Sequence, residues 1–381
     1  MNDTRNSTEL AAAKEYKAVW DPEVPFPSHE VMEDLDVVTH VSVAKARQGE
    51  YLYLHEATIQ WHKDRFYMAY ANHRTRETGD YNEVVRGCTS FDGIHWSEPE
   101  LWAEKVPEGM TSNNHPLLFS HQGKLYGFFV CWDQTHTPHT EIFILNEETG
   151  AWEHQPGCGI PAFLPFCTPQ KMDDGNWIIS GENIWLDAAV IISHGDDLTK
   201  WDFVKVPRRD EDVRVYFPES AVIDQGGGHL VLMCRNYNGT HPKMKFEQPF
   251  RCPVSPTSES FDYGRTWSNM TLSNFPIADS QPFAGKLSNG QRYFLFNSLE
   301  EGRALLGIAV TGKNGGLFKK VFKVRHNRFP RVRLFENSKG GTTEWSYPNA
   351  FEHNGNLYIA YTHGKEDCTL SIIPTEVLEI D

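Results

Sequence analysis

The chain has 381 residues, 39% hydrophobic and 13% aromatic, enough for one large all-β domain or two ordinary ones. Its 23% charged residues and lack of a long polar tract exclude an intrinsically disordered protein. The net charge of −15, with no Lys/Arg cluster carrying interleaved aromatics, argues against nucleic acid as a partner but not against an anionic sugar held in a locally basic pocket.

Residues 1–16 are polar and lack an apolar signal core, and no run reaches the length of a membrane span. The expectation is a soluble cytoplasmic protein without membrane association. A leader removed upstream would make it secreted, and Asn238-Gly239-Thr240 would then be a glycosylation sequon. A helix is expected only over residues 8–18, and residues 1–35 read as an extension ahead of a single domain over residues 36–381. Seven cysteines (Cys88, Cys131, Cys158, Cys167, Cys234, Cys252 and Cys368) are scattered without a C-x-x-C pair, so neither zinc nor a redox dithiol is indicated. No motif requires a metal or organic cofactor.

From residue 51 onward a unit recurs: a short apolar stretch, a turn with Gly or Asp/Asn, then a strongly apolar strand. The second strands are residues 65–71, 124–132, 176–181, 229–234, 291–297 and 356–362. Five are entered through a glycine (Gly123, Gly175, Gly228, Gly290 and Gly355) and the first through Lys63-Asp64. The spacing exceeds the roughly 40–50 residues of common propeller repeats, so outer strands and loops must be long. Between units, Ser260-Phe261-Asp262-Tyr263-Gly264-Arg265-Thr266-Trp267 forms a complete S-x-D-x-G-x-T-W. Ser90-Phe91-Asp92-Gly93-Ile94-His95-Trp96 is the same motif shortened by one, and residues 193–201 form a degenerate third copy. Such a segment is a self-contained turn: Asp caps backbone amides, Gly takes the left-handed conformation and Trp packs beneath.

These are Asp-box motifs, and the chain resembles the sialidase (neuraminidase) superfamily of BNR-repeat propellers. The resemblance implies an all-β, six-bladed β-propeller, with residues 37–43 supplying a strand that closes the ring against the last blade. The boxes staple turns and carry no chemistry.

Site residues in a propeller come from equivalent places in successive repeats. In the first unit, His55-Glu56-Ala57-Thr58-Ile59, followed by the strand ending at Arg74, is similar to the family's R-I-P-A-L and A-E-x-R. The first arginine of the carboxylate-binding triad then falls on His55, which offers one donor and titrates near neutrality where Arg offers a permanent fork. The family's acid/base Asp corresponds to Asp80, in a loop that also holds Glu77 and Glu83. In the second unit, His115 in Asn113-Asn114-His115-Pro116 is a candidate to bind or deprotonate a sugar; residues 161–170 offer no clear catalytic group. In the fourth, Pro218-Glu219-Ser220 and Cys234-Arg235-Asn236 are similar to the family's N-E-x-x-V and N-x-R. Glu219 is thereby implied to polarise a nucleophilic Tyr, and Arg235 to be the second triad arginine. Arg303 is the corresponding third. The nucleophile itself corresponds to Tyr347 in Glu344-Trp345-Ser346-Tyr347-Pro348, because a neutral phenol avoids the repulsion that a carboxylate nucleophile meets at an anionic anomeric centre.

The expected function is a retaining exo-glycosidase acting on a terminal, acidic carbohydrate. Tyr347, Glu219 and Asp80 would be catalytic, and His55, Arg74, His115, Arg235 and Arg303 substrate-binding. One alternative is a propeller lyase in which Arg235 neutralises a uronate, His55 or His115 takes the C5 proton and Tyr347 protonates the leaving oxygen. The other is a sugar-binding propeller without catalysis.

Overall fold

A computed structural model describes residues 3–184, 187–209, 213, 215, 217–235, 252–326, 331–332, 341–342 and 344–380. The sequon at 238–240 and Asn236 lie outside the described residues. Six antiparallel sheets follow one another along the chain as blades, each with a four-stranded core running outward from the axis. Blade 1 is Tyr53–His62, Arg65–His73, Val84–Ser90 and Glu100–Ala103. Blade 2 is Ser112–His121, Lys124–Trp132, Pro138–Asn146 and Ala151–His154. Blade 3 is Phe163–Pro165, Trp177–Asn183, Ala188–His194 and Asp197–Lys205. Blade 4 is Ser220–Gly226, His229–Cys234, Val254–Ser260 and Thr271–Pro276. Blade 5 is Phe283–Lys286, Arg292–Ser298, Gly302–Gly312 and Gly315–His326.

Blade 6 contributes Trp345–His353, Asn356–His363 and Asp367–Pro374, and its outer strand, Thr39–Lys45, comes from the start of the chain. This closure lies two residues beyond the expected 37–43 and joins the two ends of the ring. The second strands fall within two residues of their expected positions. They are the easiest to read because neighbouring blades cover both faces: every residue of Arg292–Ser298 is buried, and its centre is the apolar run Tyr293-Phe294-Leu295-Phe296.

The leading segment behaves differently from the sequence expectation. The helix is only Ser7–Ala11, capped by the reciprocal Asn6–Glu9 box, and not residues 8–18. Pairing with blade 4 overrides helix propensity here: Lys17 N–H donates to Leu272 O at 2.9 Å, and Asn274 N–H donates to Lys17 O at 2.9 Å. Asn274 accepts from Val19 and Trp20 N–H and donates to Ala11 and Trp20 carbonyls. Trp20, Phe26 and Met32 are buried in one apolar cluster with Phe275, Phe294 and Phe318, and Glu33–Asp34 adds a parallel strand to blade 5.

The Asp boxes occupy the turn between third and fourth strands in blades 1, 3 and 4. Gly93 and Gly264 N–H each donate to the box serine at 2.9 Å, and Thr266 N–H donates to Asp262 at 2.8 Å. In all three copies the Trp indole donates to the carbonyl three residues earlier: Trp96 to Gly93, Trp201 to Leu198 and Trp267 to Gly264. The degenerate copy keeps the indole bond although its Gly-to-Trp spacing has changed, because Leu198 supplies the carbonyl.

Candidate active site

The inner strands share a local irregularity that aims side chains at the axis. Glu56 (φ 59°), His115 (φ 40°) and Tyr347 (φ 58°) sit at positive φ where the pairing of blades 1, 2 and 6 shifts register. Ala162 (φ 58°) and Phe217 (φ 50°) take the same conformation just ahead of the inner strands of blades 3 and 4. A bulge inserts one residue against the pleat and redirects its side chain. Holding large L-residues there is strained, a cost that persists where the surroundings fix it.

Tyr347, Glu219 and Arg235 converge, although they are far apart in sequence. The buried Tyr347 hydroxyl donates to Glu219 Oε1. Arg235 Nη1 donates to the same carboxylate oxygen at 2.8 Å and to the phenol oxygen at 3.0 Å. Burial pushes the Tyr347 phenol well above its ordinary range, and Glu219 adds to this, while Arg235 and Arg303 pull it back. Arg235 Nε donates to Asp279, and Arg303 Nε donates to the Asp279 backbone carbonyl at 3.1 Å. Arg303 also lies over the Tyr347 ring, 5.6 Å from its centroid.

His55 is fully buried beneath this group. Its Nδ1 is 2.7 Å from Thr362 Oγ1, and its ring centroid is 4.2 Å from that of Tyr347. His115 is clamped by Glu56: Nε2 lies 2.9 Å from Oε1, and the His115 backbone N–H donates to Oε2 at 2.7 Å. Burial opposes the charge on His115, but Glu56 outweighs it and its pKa is raised. Glu56, His115, Gln281 and Tyr347 line one narrow cavity with Phe166 and Asn349.

Asp80 stands on the loop after the second strand of blade 1, with Oδ2 2.6 Å from His136 Nδ1. Glu83 anchors that loop: it accepts from Thr78 and Gly79 N–H at 2.7 Å, and burial followed by Glu56 pushes it up to about 7. Glu77 is half-exposed and paired with Lys365. Burial raises its pKa, but Lys365 wins, helped by Arg303 and His115 across the centre. Arg74 is exposed and lies away from this group, in a groove of about 690 Å³ shared with Arg47 and Arg86 along blade 1.

Three acidic residues went unassigned in the sequence reading. Glu56 occupies the bulge position that His115 and Tyr347 occupy in their blades, so aligning the inner strands would have found it. Glu182 is the penultimate residue of the second strand of blade 3, near where Arg235 follows that of blade 4. It is buried, and burial followed by Glu219 pushes it up to about 8. Asp279 precedes the inner strand of blade 5 and carries no repeat signal.

A family model described as a BNR repeat-like domain matches residues 64–359. No curated protein matches by sequence. Among solved structures, a protein of unknown function from Dyadobacter fermentans is 15% identical and has a TM-score of 0.62, over 89% of this chain and 99% of its own. The Trypanosoma rangeli sialidase in complex with the inhibitor DANA is 12% identical with a TM-score of 0.60, over 90% of this chain and 61% of its own. A Hadza microbial sialidase is 12% identical with a TM-score of 0.61, over 85% and 66%. At such identities the likeness shows the fold alone. With the match covering residues 64–359, the chain belongs to the BNR repeat-like domain family and is a six-bladed propeller of the sialidase-like kind.

Proposed function

We propose that this protein is an exo-acting glycoside hydrolase that removes a terminal sugar with retention, using Tyr347 as nucleophile and Glu219 as its base. The observation that carries this reading is the hydrogen bond from the buried Tyr347 hydroxyl to Glu219, with Arg235 donating to both oxygens. A phenol is a poor nucleophile at its own pKa, and burial makes it poorer still. Transfer of its proton to Glu219 leaves a phenolate beside the Arg235 guanidinium, which offsets the developing charge. The oxygen then attacks the anomeric carbon, and water releases the glycosyl-enzyme in a second displacement.

The departing oxygen takes its proton from the loop at the rim. Asp80 fills that role on the family resemblance; Glu77 is the poorer donor, because Lys365, Arg303 and His115 hold its carboxyl in the ionised form. A sugar's acidic group would meet Arg303, whose terminal nitrogens carry no bond among the described residues. The lyase reading draws on the His115–Glu56 pair, but a raised His115 pKa suits a proton donor better than the base that elimination needs.

Turnover of an aryl-glycoside panel, sialosides included, tests the assignment. Tyr347→Phe is expected to lower kcat by roughly three orders of magnitude or more while the melting temperature stays close to that of the parent. The Glu219–Arg235 pair survives in that variant. Near-full activity would overturn the nucleophile, and a product absorbing in the near ultraviolet from uronate-containing oligosaccharides would identify a lyase.

A further inference from the structure

Asp279 holds both arginines of the site. Its side-chain carboxylate accepts from Arg235 Nε, and its backbone carbonyl accepts from Arg303 Nε at 3.1 Å. Arg235 is charge-compensated twice, by Asp279 on one edge and by Glu219 on Nη1 at 2.8 Å. Asp279 is also the member of this trio that meets solvent: its side chain is 28% exposed, against 10% for Arg235 and 6% for Glu219. An acidic ligand approaching Arg235 therefore meets a carboxylate already in place. It must displace that group or bind beside it against like-charge repulsion. His55, which stands where the resemblance puts another arginine, is fully buried and adds no permanent charge. Glu56, paired with His115, is a further carboxylate at the same centre.

We infer that Asp279 is a built-in occupant of the carboxylate seat on Arg235, and that it selects sugars whose anomeric carbon bears no carboxylate. The substrate class is then a terminal pyranose without an anomeric carboxylate, any acidic substituent lying elsewhere on the ring, toward Arg303. This inference deepens the glycosidase reading and rests on it for the identity of the site, but its test reads binding and needs no turnover.

The probes are DANA, which carries the carboxylate at the anomeric carbon, and galactal, a neutral ring of similar flattened shape. Calorimetric titration of the parent is expected to give tighter binding of galactal than of DANA. Asp279→Asn keeps the shape and removes the charge, and should raise the affinity for DANA relative to galactal by about tenfold or more, which is about 1.4 kcal/mol. Asp279→Ser should do the same if the Asn variant folds poorly, whereas Asp279→Glu, which keeps the charge, should not. Adding Arg235→Gln to either neutral variant should abolish the gain. Parent protein that binds DANA as tightly as Asp279→Asn overturns the inference, as does absence of DANA binding in both neutral variants. The fate of the hydrolase reading is decided separately by Tyr347→Phe turnover, so the two failures are distinguishable.

Discussion

At the scale of single residues, the candidate site places acids in unlike environments. Glu219 accepts on Oε1 from Tyr347 and Arg235, whereas Glu182 has no such cation against it among the described residues and is pushed up to about 8. Burial disfavours its charged form, and the nearby Glu219 carboxylate disfavours it further. Glu182 is therefore a neutral acid near pH 7, and this has a definite sign in stability. Between the ordinary 4.5 and about 8, the folded state holds a proton that the unfolded chain has released, so stability falls as pH rises through that window. Glu182→Gln removes this titration. Melting curves at pH 5 and pH 8.5 should show the variant close to the parent at the lower value and more stable at the higher, by roughly 1–3 kcal/mol. Equal stability differences at both pH values would mean that Glu182 is ionised in the fold.

At the scale of the element, two devices divide the labour between holding the blades and aiming side chains. The Asp box holds. Asp262 accepts from Thr266 N–H at 2.8 Å and from the Thr266 and Ser260 hydroxyls at 2.6 and 2.8 Å. The turn it closes seats Gly264, at φ 82°, against Ile178 of blade 3, where an added Cβ would come within 2.9 Å of the isoleucine Cδ1. Asp262→Ala leaves these donors to solvent and should cost about 1–2 kcal/mol. Activity should not change, because no residue of the site lies in the turn. Chemical denaturation paired with a turnover assay checks both halves. The inner-strand bulge aims. Glu56, His115 and Tyr347 share it, and it separates them from the pleat that would otherwise send alternate side chains between blades.

At the scale of the whole molecule, the chain's beginning completes the ring. Thr39–Lys45 pairs antiparallel with Asp367–Pro374, so an early strand and the last one share a blade. The preceding segment covers blades 4 and 5, burying Trp20, Phe26 and Met32 against Phe275 and Phe296. Large apolar side chains of this kind contribute about 1.5–3 kcal/mol each when fully buried. Removing residues 1–35 should therefore destabilise the protein by more than about 4 kcal/mol, lower its melting temperature and raise its binding of an apolar dye. A truncated protein that melts with the parent would show that this segment merely decorates the propeller.

Local chemistry repeated at intervals was legible in the sequence, and contact between intervals was not. The second strands could be read because burial on both faces imposes a largely apolar run, and the Asp boxes because a turn stabilised by its own side chains must spell out Ser, Asp, Gly and Trp in order. Tyr347 and Glu219 could be proposed from short local motifs, and the structure brings the two side chains together. The helix over residues 8–18 was misjudged because the backbone of Lys17 pairs with blade 4, a partner more than two hundred residues away. The same limit hid Asp279 and Glu182. Asp279 matters through its bond to Arg235, from a different strand, and Glu182 through burial beside Glu219 on the next blade. Charge compensation and desolvation depend on what surrounds a group in space. Only closure of the ring brings those surroundings together.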